Sequence, residues 1–193
     1  MKKTRDIRVV RTQTALLEAL EELLKTKKLS TITITDLCQQ AKINRNTFYY
    51  HYNNIYEFLN DHKRIVTEEL NDISEESKTH KRDNLVEIFK TLKLHPHFLN
   101  ILISPNCDLD FFNDIFNAAS EKAAIVLMNN NDKEKLTAKE RLLLTYCNAG
   151  SNAVIISWIT NGMKESPEAI TDIIWESSKS GVLSLIFPGE KFD

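Results

Sequence analysis

Glycine and proline are scarce in this sequence, which has four of each among its 193 residues and neither of them before Pro96. Sandwiches and barrels reverse the chain about every eight to twelve residues and use these residue types in their turns. The scarcity therefore argues against such β folds and predicts an all-α protein. The shares of hydrophobic (42%) and charged (27%) residues are typical of a globular chain.

Cysteine is also scarce. Cys38, Cys107 and Cys147 lie far apart and form no C-x-x-C pair, which predicts free thiols in a reducing cytosol. No apolar run approaches the ~20 residues that span a bilayer. The basic stretch MKKTRDIRVVRTQ lacks the apolar part of a signal peptide. We therefore expect a cytoplasmic protein with no membrane partner.

The charge is distributed unevenly along the chain. Residues 1–52 contain ten Lys/Arg and five Asp/Glu, a balance of +5, whereas the remainder contains fifteen and twenty-two, a balance of −7. A basic end on an acidic body predicts that this end meets a polyanion. The alternative is that these charges only solvate the surface.

The first part of the chain predicts a long helix followed by a short one. Residues 4–26 have apolar positions at helical spacing. The β-branched stretch TKKLSTITIT follows, and we interpret it as the approach to a second helix rather than a strand. Thr33 or Thr35 is suited to cap that helix at its N-terminus.

The stretch INRNTFYYHY then predicts a third helix, capped by Asn44. Phe48, Tyr52 and Ile55 form its buried stripe, at i, i+4 and i+7. The outward positions are those of Arg45, Asn46, Thr47, Tyr49 and Tyr50. Two short helices joined by a few residues, the second with a polar and aromatic outer face, are typical of a helix-turn-helix.

Further helices are predicted along the rest of the chain, at about 53–78, 82–94, 96–103, 108–130, 137–161 and 166–187. The last of them has Pro167 in its first turn, after Ser166. No internal repeat is visible. A boundary between two modules is expected inside or beside the fourth helix.

The segments ALLEALEELL and ITITDLCQQAKINRNTFYYHYNNIYEFL resemble the DNA-binding domain of TetR-type (TetR/AcrR) transcriptional regulators. The resemblance rests on the leucines of helix 1, the pattern T-x-x-D-[LI]-x-x-x-A and the pattern [ST]-x-x-[TS]-[FL]-Y-x-[HY]-[FY]. It implies a helix-turn-helix DNA-binding domain over residues 1–53 and an all-helical regulatory and dimerisation domain over residues 54–193. It further implies a homodimer on a palindromic operator, and a repressor that a small-molecule effector releases from DNA.

The resemblance also implies roles for individual side chains. Thr33 and Tyr49 stand at positions of phosphate contacts, and His51 at a position that contacts the DNA backbone in some members. The groove-facing positions are those of Arg45, Asn46 and Thr47.

The chemistry of the exposed side chains agrees with these roles. Arg45 has the planar fork that bonds bidentately to guanine, Asn46 suits adenine, and the Thr47 methyl suits thymine. Tyr49 and Tyr50 offer hydroxyls to the DNA backbone, although a surface or packing role is as good an interpretation for Tyr50 and for His51. The N-terminal arm could follow the phosphates or the minor groove with Lys2, Lys3, Arg5 and Arg8, or be a solvated end.

Three residues depart from the family pattern. Lys42 stands where glycine is usual, so a lysine must adopt a left-handed turn there or the turn must differ. Ile55 stands where many members have a phosphate-binding lysine, and Thr35, which we also place at the DNA surface, replaces a common arginine. We therefore expect weaker DNA binding than in typical relatives.

Two sets of residues are predicted in the remainder of the chain. Small and apolar side chains at helical spacing predict a four-helix dimer interface, with intramolecular packing as the alternative; these are Ala149, Ala153, Ser157, Ile170, Ile174, Gly181 and Leu185. Aromatic walls with polar groups predict an effector pocket, with plain core as the alternative; these are Phe89, Phe111, Phe112, Phe116, Tyr146 and Asn148.

Two other functional classes were weighed. An enzyme would need a nucleophile elbow, a P-loop, paired carboxylates or metal-ligand spacing, and the sequence has none of these patterns. We expect no catalysis, metal or cofactor. The second alternative is a coactivator or adaptor that keeps the helix-turn-helix but acts through a protein partner.

Overall fold

The computed structural model describes residues 7–76, 81–107 and 137–178. Within these ranges the chain forms eight α-helices, one short 3-10 helix at Leu29–Thr31 and no strand, so the all-α prediction is confirmed. The helices are α1 (Ile7–Leu24), α2 (Ile34–Ala41), α3 (Arg45–His51), α4 (Ile55–Glu76), α5 (Lys81–Lys93), α6 (Pro96–Ile103), α7 (Ala138–Thr160) and α8 (Pro167–Ser177). The helix predicted at 108–130 lies outside the described residues.

The chain divides into two compact units. The first comprises residues 1–67 and 95–110, and the second comprises residues 68–94 and 111–193. The division falls inside α4, after Thr67. The first unit thus includes α6 and the first part of α4. The predicted boundary after residue 53 placed both of these in the second domain. The functional extent of a DNA-binding domain stays a prediction.

The core of the first unit forms where α1 packs against α2 and α6. Leu16, Leu20 and Leu24 recur along α1 and are buried, and Leu37 of α2 and Phe98 of α6 are also buried. Full burial of each such side chain stabilises the fold by about 1.5–3 kcal/mol. The contact with α1 explains why α6 groups with residues that precede it by more than seventy positions.

Polar bonds fix α6 on α1 within this unit. The Nδ1 atom of His97 lies 2.6 Å from Glu21 Oε2, and Asn100 Nδ2 donates to Glu21 Oε1 at 2.8 Å. Beyond the end of α6, Asn106 Nδ2 donates to the Leu24 carbonyl at 2.8 Å, which satisfies an acceptor at the C-terminus of α1. These bonds specify which turn of α1 meets which turn of α6.

In the second unit, α8 packs against α5 and α7. Phe89 of α5 meets Trp158 of α7 edge-on, with ring centroids 5.7 Å apart, and Ile170 and Trp175 of α8 are buried. The Ser166 hydroxyl accepts from the Ala169 N–H at 3.2 Å, and Pro167 occupies the first turn of α8. The predicted start of this helix is therefore confirmed.

Helix α7 is more apolar than the sequence analysis expected. By length and composition alone, Arg141–Thr160 could cross a membrane, with a mean hydropathy of 1.3. A search for uninterrupted apolar runs missed it because Thr145, Asn148 and Asn152 interrupt the segment. Only 17% of this segment is buried within the described part of the chain.

Candidate nucleic-acid interface

Thr33 caps α2, as predicted for Thr33 or Thr35. Its hydroxyl accepts from the Asp36 N–H at 3.1 Å and donates to Asp36 Oδ2 at 2.7 Å, and its own N–H donates to Asp36 Oδ2 at 3.0 Å. This is a capping box. The bonds from the Thr33 hydroxyl, the Thr33 N–H and the Lys27 ammonium lower the pKa of the Asp36 carboxyl to about 2.

This capping box bears on the phosphate contact predicted for Thr33. The single proton of the hydroxyl is already donated to Asp36, so a phosphate would have to replace that bond. The sequence analysis missed Asp36, although its place three residues after a capping threonine is the spacing of a capping box. Thr35 lies two residues further along, in the first turn of α2, and is exposed.

The turn between α2 and α3 has a lysine in the left-handed conformation, which is one of the two alternatives given for Lys42. Lys42 has φ 55° and ψ 39°, and its N–H bonds to the carbonyls of Cys38 and Gln39 at the end of α2. Asn44 caps α3, accepting from the Asn46 N–H at 2.8 Å. The predicted Asn44 cap is confirmed, and the two caps fix the position at which α3 starts.

Helix α3 buries one side and exposes the other. Phe48 is fully buried and Tyr52 is nearly so, as predicted. The exposed residues of the helix are Arg45, Asn46, Thr47, Tyr49, Tyr50 and His51. Tyr50 has 84% of its surface exposed and Tyr49 has 48%, whereas large aromatic side chains are buried on average. An unpartnered polar and aromatic face is what a helix that enters a DNA groove presents.

The Arg45 guanidinium lies above the Tyr49 ring, 5.9 Å from its centroid. The distance is within the range of a cation–π contact. Burial raises the pKa of the Cys38 thiol of α2, and the charge of Arg45 opposes this rise. Arg45 is the first residue of α3 and follows directly after the turn from α2.

The start of α4 differs from the family pattern as expected. Ile55 is buried, with 4% exposure, so this position belongs to the core and not to a charged surface. Asn54 Oδ1 accepts from the Glu57 N–H, and the Glu57 carboxylate accepts from the Asn53 N–H, both at 2.8 Å. The first turn of α4 is thereby capped from within the chain.

A buried polar network holds the C-terminal end of α3. Gln13 Nε2 of α1 donates to the Tyr52 hydroxyl at 2.7 Å, which in turn donates to Asp61 Oδ2 of α4 at 3.2 Å. Arg64 Nη2 donates to the other oxygen of Asp61 at 2.6 Å. These groups, with His51, border an open groove of about 570 Å³. The sequence analysis assigned Tyr52 to the core and missed its hydroxyl bonds.

The residues predicted for a dimer interface fall into two groups. Ala149, Ala153 and Ser157 are exposed on α7. Ile170 and Ile174 are instead buried in the second unit, which is the intramolecular packing kept as an alternative, and the exposed isoleucine of α8 is Ile173. Gly181 and Leu185 lie outside the described residues.

The predicted pocket residues are likewise divided. Phe89 is buried against Trp158 as plain core, and Asn148 is partly exposed. Tyr146 is 73% exposed, on the same side of α7 as Ala149 and Ala153. Phe111, Phe112 and Phe116 lie outside the described residues. In the described ranges no group of three or more His, Cys, Asp or Glu is arranged to hold a metal ion.

Comparison with known proteins identifies the family. Residues 79–179, which are 101 of the 193 residues, match the TetR-type family model described as "Transcriptional regulator C-terminal region". The chain belongs to the TetR family of transcriptional regulators. For this TetR-family regulator the match lies beyond the helix-turn-helix, so the two halves of the chain point to the family independently.

Relatives of this TetR-family regulator agree with the assignment. A curated relative, the uncharacterized HTH-type transcriptional regulator YxbF of Bacillus subtilis (strain 168), is 25% identical over 167 residues, which cover 82% of this chain and 42% of that protein. The chain thus spans less than half the length of that relative.

Solved structures show the same fold. The fatty acid degradation regulator FadR from Bacillus halodurans has a TM-score of 0.62 at 13% identity, covering 99% of this chain and 100% of that chain. The dihydroxyacetone kinase operon activator DhaS has a TM-score of 0.55 at 22% identity, covering 91% and 96%.

Proposed function

We propose that this TetR-family regulator is a dimeric repressor whose two α3 helices enter successive major grooves of a palindromic operator. The observation that carries the proposal is the exposed face of α3, held by the Asn44 cap and by the bonds of Tyr52. Arg45 and Asn46 would read base edges from the first turn of the helix. Thr47 would contact a thymine methyl.

The tyrosines of α3 would hold the DNA backbone. Tyr49 and Tyr50 are rigid, exposed and end in hydroxyl donors, so they offer phosphate bonds at little cost in side-chain entropy. His51, at the end of the helix, would add a further backbone contact. Thr33 and Thr35 would approach the phosphates from the N-terminus of α2, Thr33 by exchanging its bond to Asp36 for one to DNA.

The dimer would form through α7. Six of its exposed residues follow alternating steps of four and three, which is the spacing of a seam between two packed helices; they are Leu142, Tyr146, Ala149, Ala153, Ile156 and Thr160. Leu142 and Tyr146 are each more than 70% exposed, although a soluble chain normally covers such large apolar groups. A second copy of α7 would cover them, with Ile173 of α8 beside the seam.

A small-molecule effector would act through the second unit. Its binding would favour one arrangement of the two DNA-binding units and lower operator affinity by shifting the population. FadR and DhaS are named for fatty acid degradation and for dihydroxyacetone kinase, but their likeness to this chain is one of fold. The protein would act in the cytoplasm.

Selection of random DNA fragments on the purified protein tests the proposal. Wild type should recover a palindrome with half-sites about one helical turn apart. Arg45→Ala, at the same salt concentration, should lose about 1–3 kcal/mol of discrimination at one base position of each half-site. Lys93→Ala is the matched control, because it removes one exposed cation from the second unit. Equal selection by wild type and Arg45→Ala would contradict the proposed role of α3.

An adaptor that acts through a protein partner is a second candidate. The observation in its favour concerns two positions that contact phosphates in the family pattern. At one of them Ile55 is buried, and at the other the Thr33 hydroxyl bonds to Asp36. Such a protein would show only weak, sequence-independent binding alone. A palindrome recovered by the purified protein would exclude this candidate.

A further inference from the structure

Two residues other than glycine have a positive φ in the described part of the chain, Lys42 at 55° and Met163 at 50°. In this region the Cβ atom of an L residue crowds a backbone carbonyl oxygen, so the conformation disfavours any side chain. Such residues are kept where the surroundings or the function require them. The two positions call for different explanations.

Packing explains Met163. Its side chain is buried in the core of the second unit, and its N–H donates to the Trp158 carbonyl at 2.8 Å. Lys42 is exposed, and its ammonium makes no hydrogen bond or ion pair with any residue that the structure describes. Packing therefore gives no reason for a side chain at Lys42.

Charge gives a reason. Between Lys28 and Lys63 the sequence has two cations, Lys42 and Arg45. Asp36 is the one acidic residue of the helix-turn-helix (residues 33–52), and it already bonds to Thr33 and Lys27. The ammonium of Lys42 is thus free of acidic partners in its own motif. If Arg45 reads a base edge, Lys42 is the cation left in this motif to neutralise a phosphate.

We propose that Lys42 is a phosphate-binding residue of the DNA interface. Its ammonium stands in the turn three residues before Arg45 and neutralises a backbone phosphate at the edge of the groove that α3 enters. DNA affinity comes largely from such neutralised phosphates, and the buried Ile55 supplies no charge at the start of α4. The inference rests on the proposed DNA binding and adds to it a residue where the family usually has glycine.

The competing explanation is local. A cation at the C-terminal end of α2 interacts favourably with the helix dipole, and this could retain a lysine without any DNA. The two explanations differ in what they change. A dipole role affects the stability of the free protein, whereas a phosphate role affects DNA affinity and its dependence on salt.

Full-length Lys42→Gly, Lys42→Gln and Lys42→Arg are compared with wild type for binding to a random-sequence DNA duplex over a series of salt concentrations. Gly and Gln should each remove one phosphate contact per subunit. This should reduce the slope of log K against log salt by about 0.9 per subunit and lower the affinity of the proposed dimer about 60-fold at about 0.1 M salt. Arg should retain both. The melting temperature of Lys42→Gly should equal or exceed that of wild type, because glycine relieves the positive φ. Lys164→Gln removes an exposed cation from the second unit as the control and should change neither affinity nor slope.

Wild-type affinity and slope in the Gly and Gln variants would overturn the inference while leaving DNA binding intact. A loss of affinity in Lys42→Arg equal to that in Lys42→Gly, or a loss that accompanies a lower melting temperature in Gly and Gln alike, would assign Lys42 to the stability of the turn. If wild type binds no duplex even at low salt, the proposed function and the inference both fail.

Discussion

Replacing Tyr52 by phenylalanine should loosen the C-terminal end of α3. The change keeps the buried ring and removes only the hydroxyl, so no cavity forms. The bonds lost include one from the Gln13 amide at 2.7 Å and one to the Asp61 carboxylate at 3.2 Å. Without the Tyr52 hydroxyl, the buried Gln13 amide keeps a long bond of 3.5 Å to Asp61 Oδ2.

The magnitude follows from these two bonds. A neutral hydrogen bond contributes about 0.5–1.5 kcal/mol and a bond to a charged group about 1.5–3 kcal/mol. The bond to Asp61 is long for a hydroxyl donor, and Asp61 is still held by Arg64 and is partly exposed, so the lower ends apply. We expect Tyr52→Phe to reduce the opening free energy of α3 by about 2 kcal/mol, which is about 30-fold in the opening constant.

Hydrogen exchange of the α3 amides in the native protein measures this opening directly. Tyr50→Phe is the matched control on the same helix, because the Tyr50 hydroxyl is exposed and makes no bond to a described residue. Both tryptophans, Trp158 and Trp175, belong to the second unit, so their fluorescence during urea unfolding should be unchanged if the units unfold separately. Equal exchange in Tyr52→Phe and Tyr50→Phe would refute the reasoning.

Two further variants test the capping box and the start of α4. The pKa of Asp36 lies at about 2 in the folded state against a usual 3.8, so its carboxylate stabilises the fold above about pH 4 and this contribution is lost as the pH falls towards about 2. Asp36→Asn should therefore have a lower urea midpoint than wild type at neutral pH, with the difference vanishing near pH 2; a constant difference would contradict this. Ile55→Lys restores the charge of the family pattern in a buried site, and urea unfolding should show a loss of about 2–5 kcal/mol. Wild-type stability together with tighter DNA binding would show that the side chain reaches the surface.

Local chemistry allowed the helix-turn-helix to be predicted from sequence. A capping residue, a left-handed turn and a stripe at i, i+4 and i+7 each involve atoms within a few residues of one another. For that reason the Asn44 cap and the burial of Phe48 and Ile55 were predicted as observed. For the cap of α2 and for Lys42 the observed state was one of two alternatives. The side chain of Asp36 is equally local, and the capping-box spacing would have found it.

The partners of distant helices could not be predicted in the same way. An apolar stripe shows that a helix packs on something, but it does not show on what. Thus α6 was predicted at its observed place in the sequence, while its docking on α1 through Glu21 and Asn100 spans 79 residues. The same ambiguity explains Ile170 and Ile174. They were predicted to contact a second copy of the chain, but they pack inside their own chain.

The burial of Ile55 and the exposure of Lys42 together bear on how the protein would recognise DNA. At the start of α4, Ile55 adds to the core where the family pattern has a cation. In the turn before α3, Lys42 provides a cation although its backbone has a positive φ. If each subunit of the proposed dimer neutralised one phosphate through Lys42, the pair would contribute a slope of only about −2 to the salt dependence of log K. Non-specific affinity from this motif would then be low. Operator binding would depend mainly on the base contacts of Arg45 and Asn46. Removing either side chain should therefore lower operator affinity by a larger factor here than in a relative with many phosphate contacts.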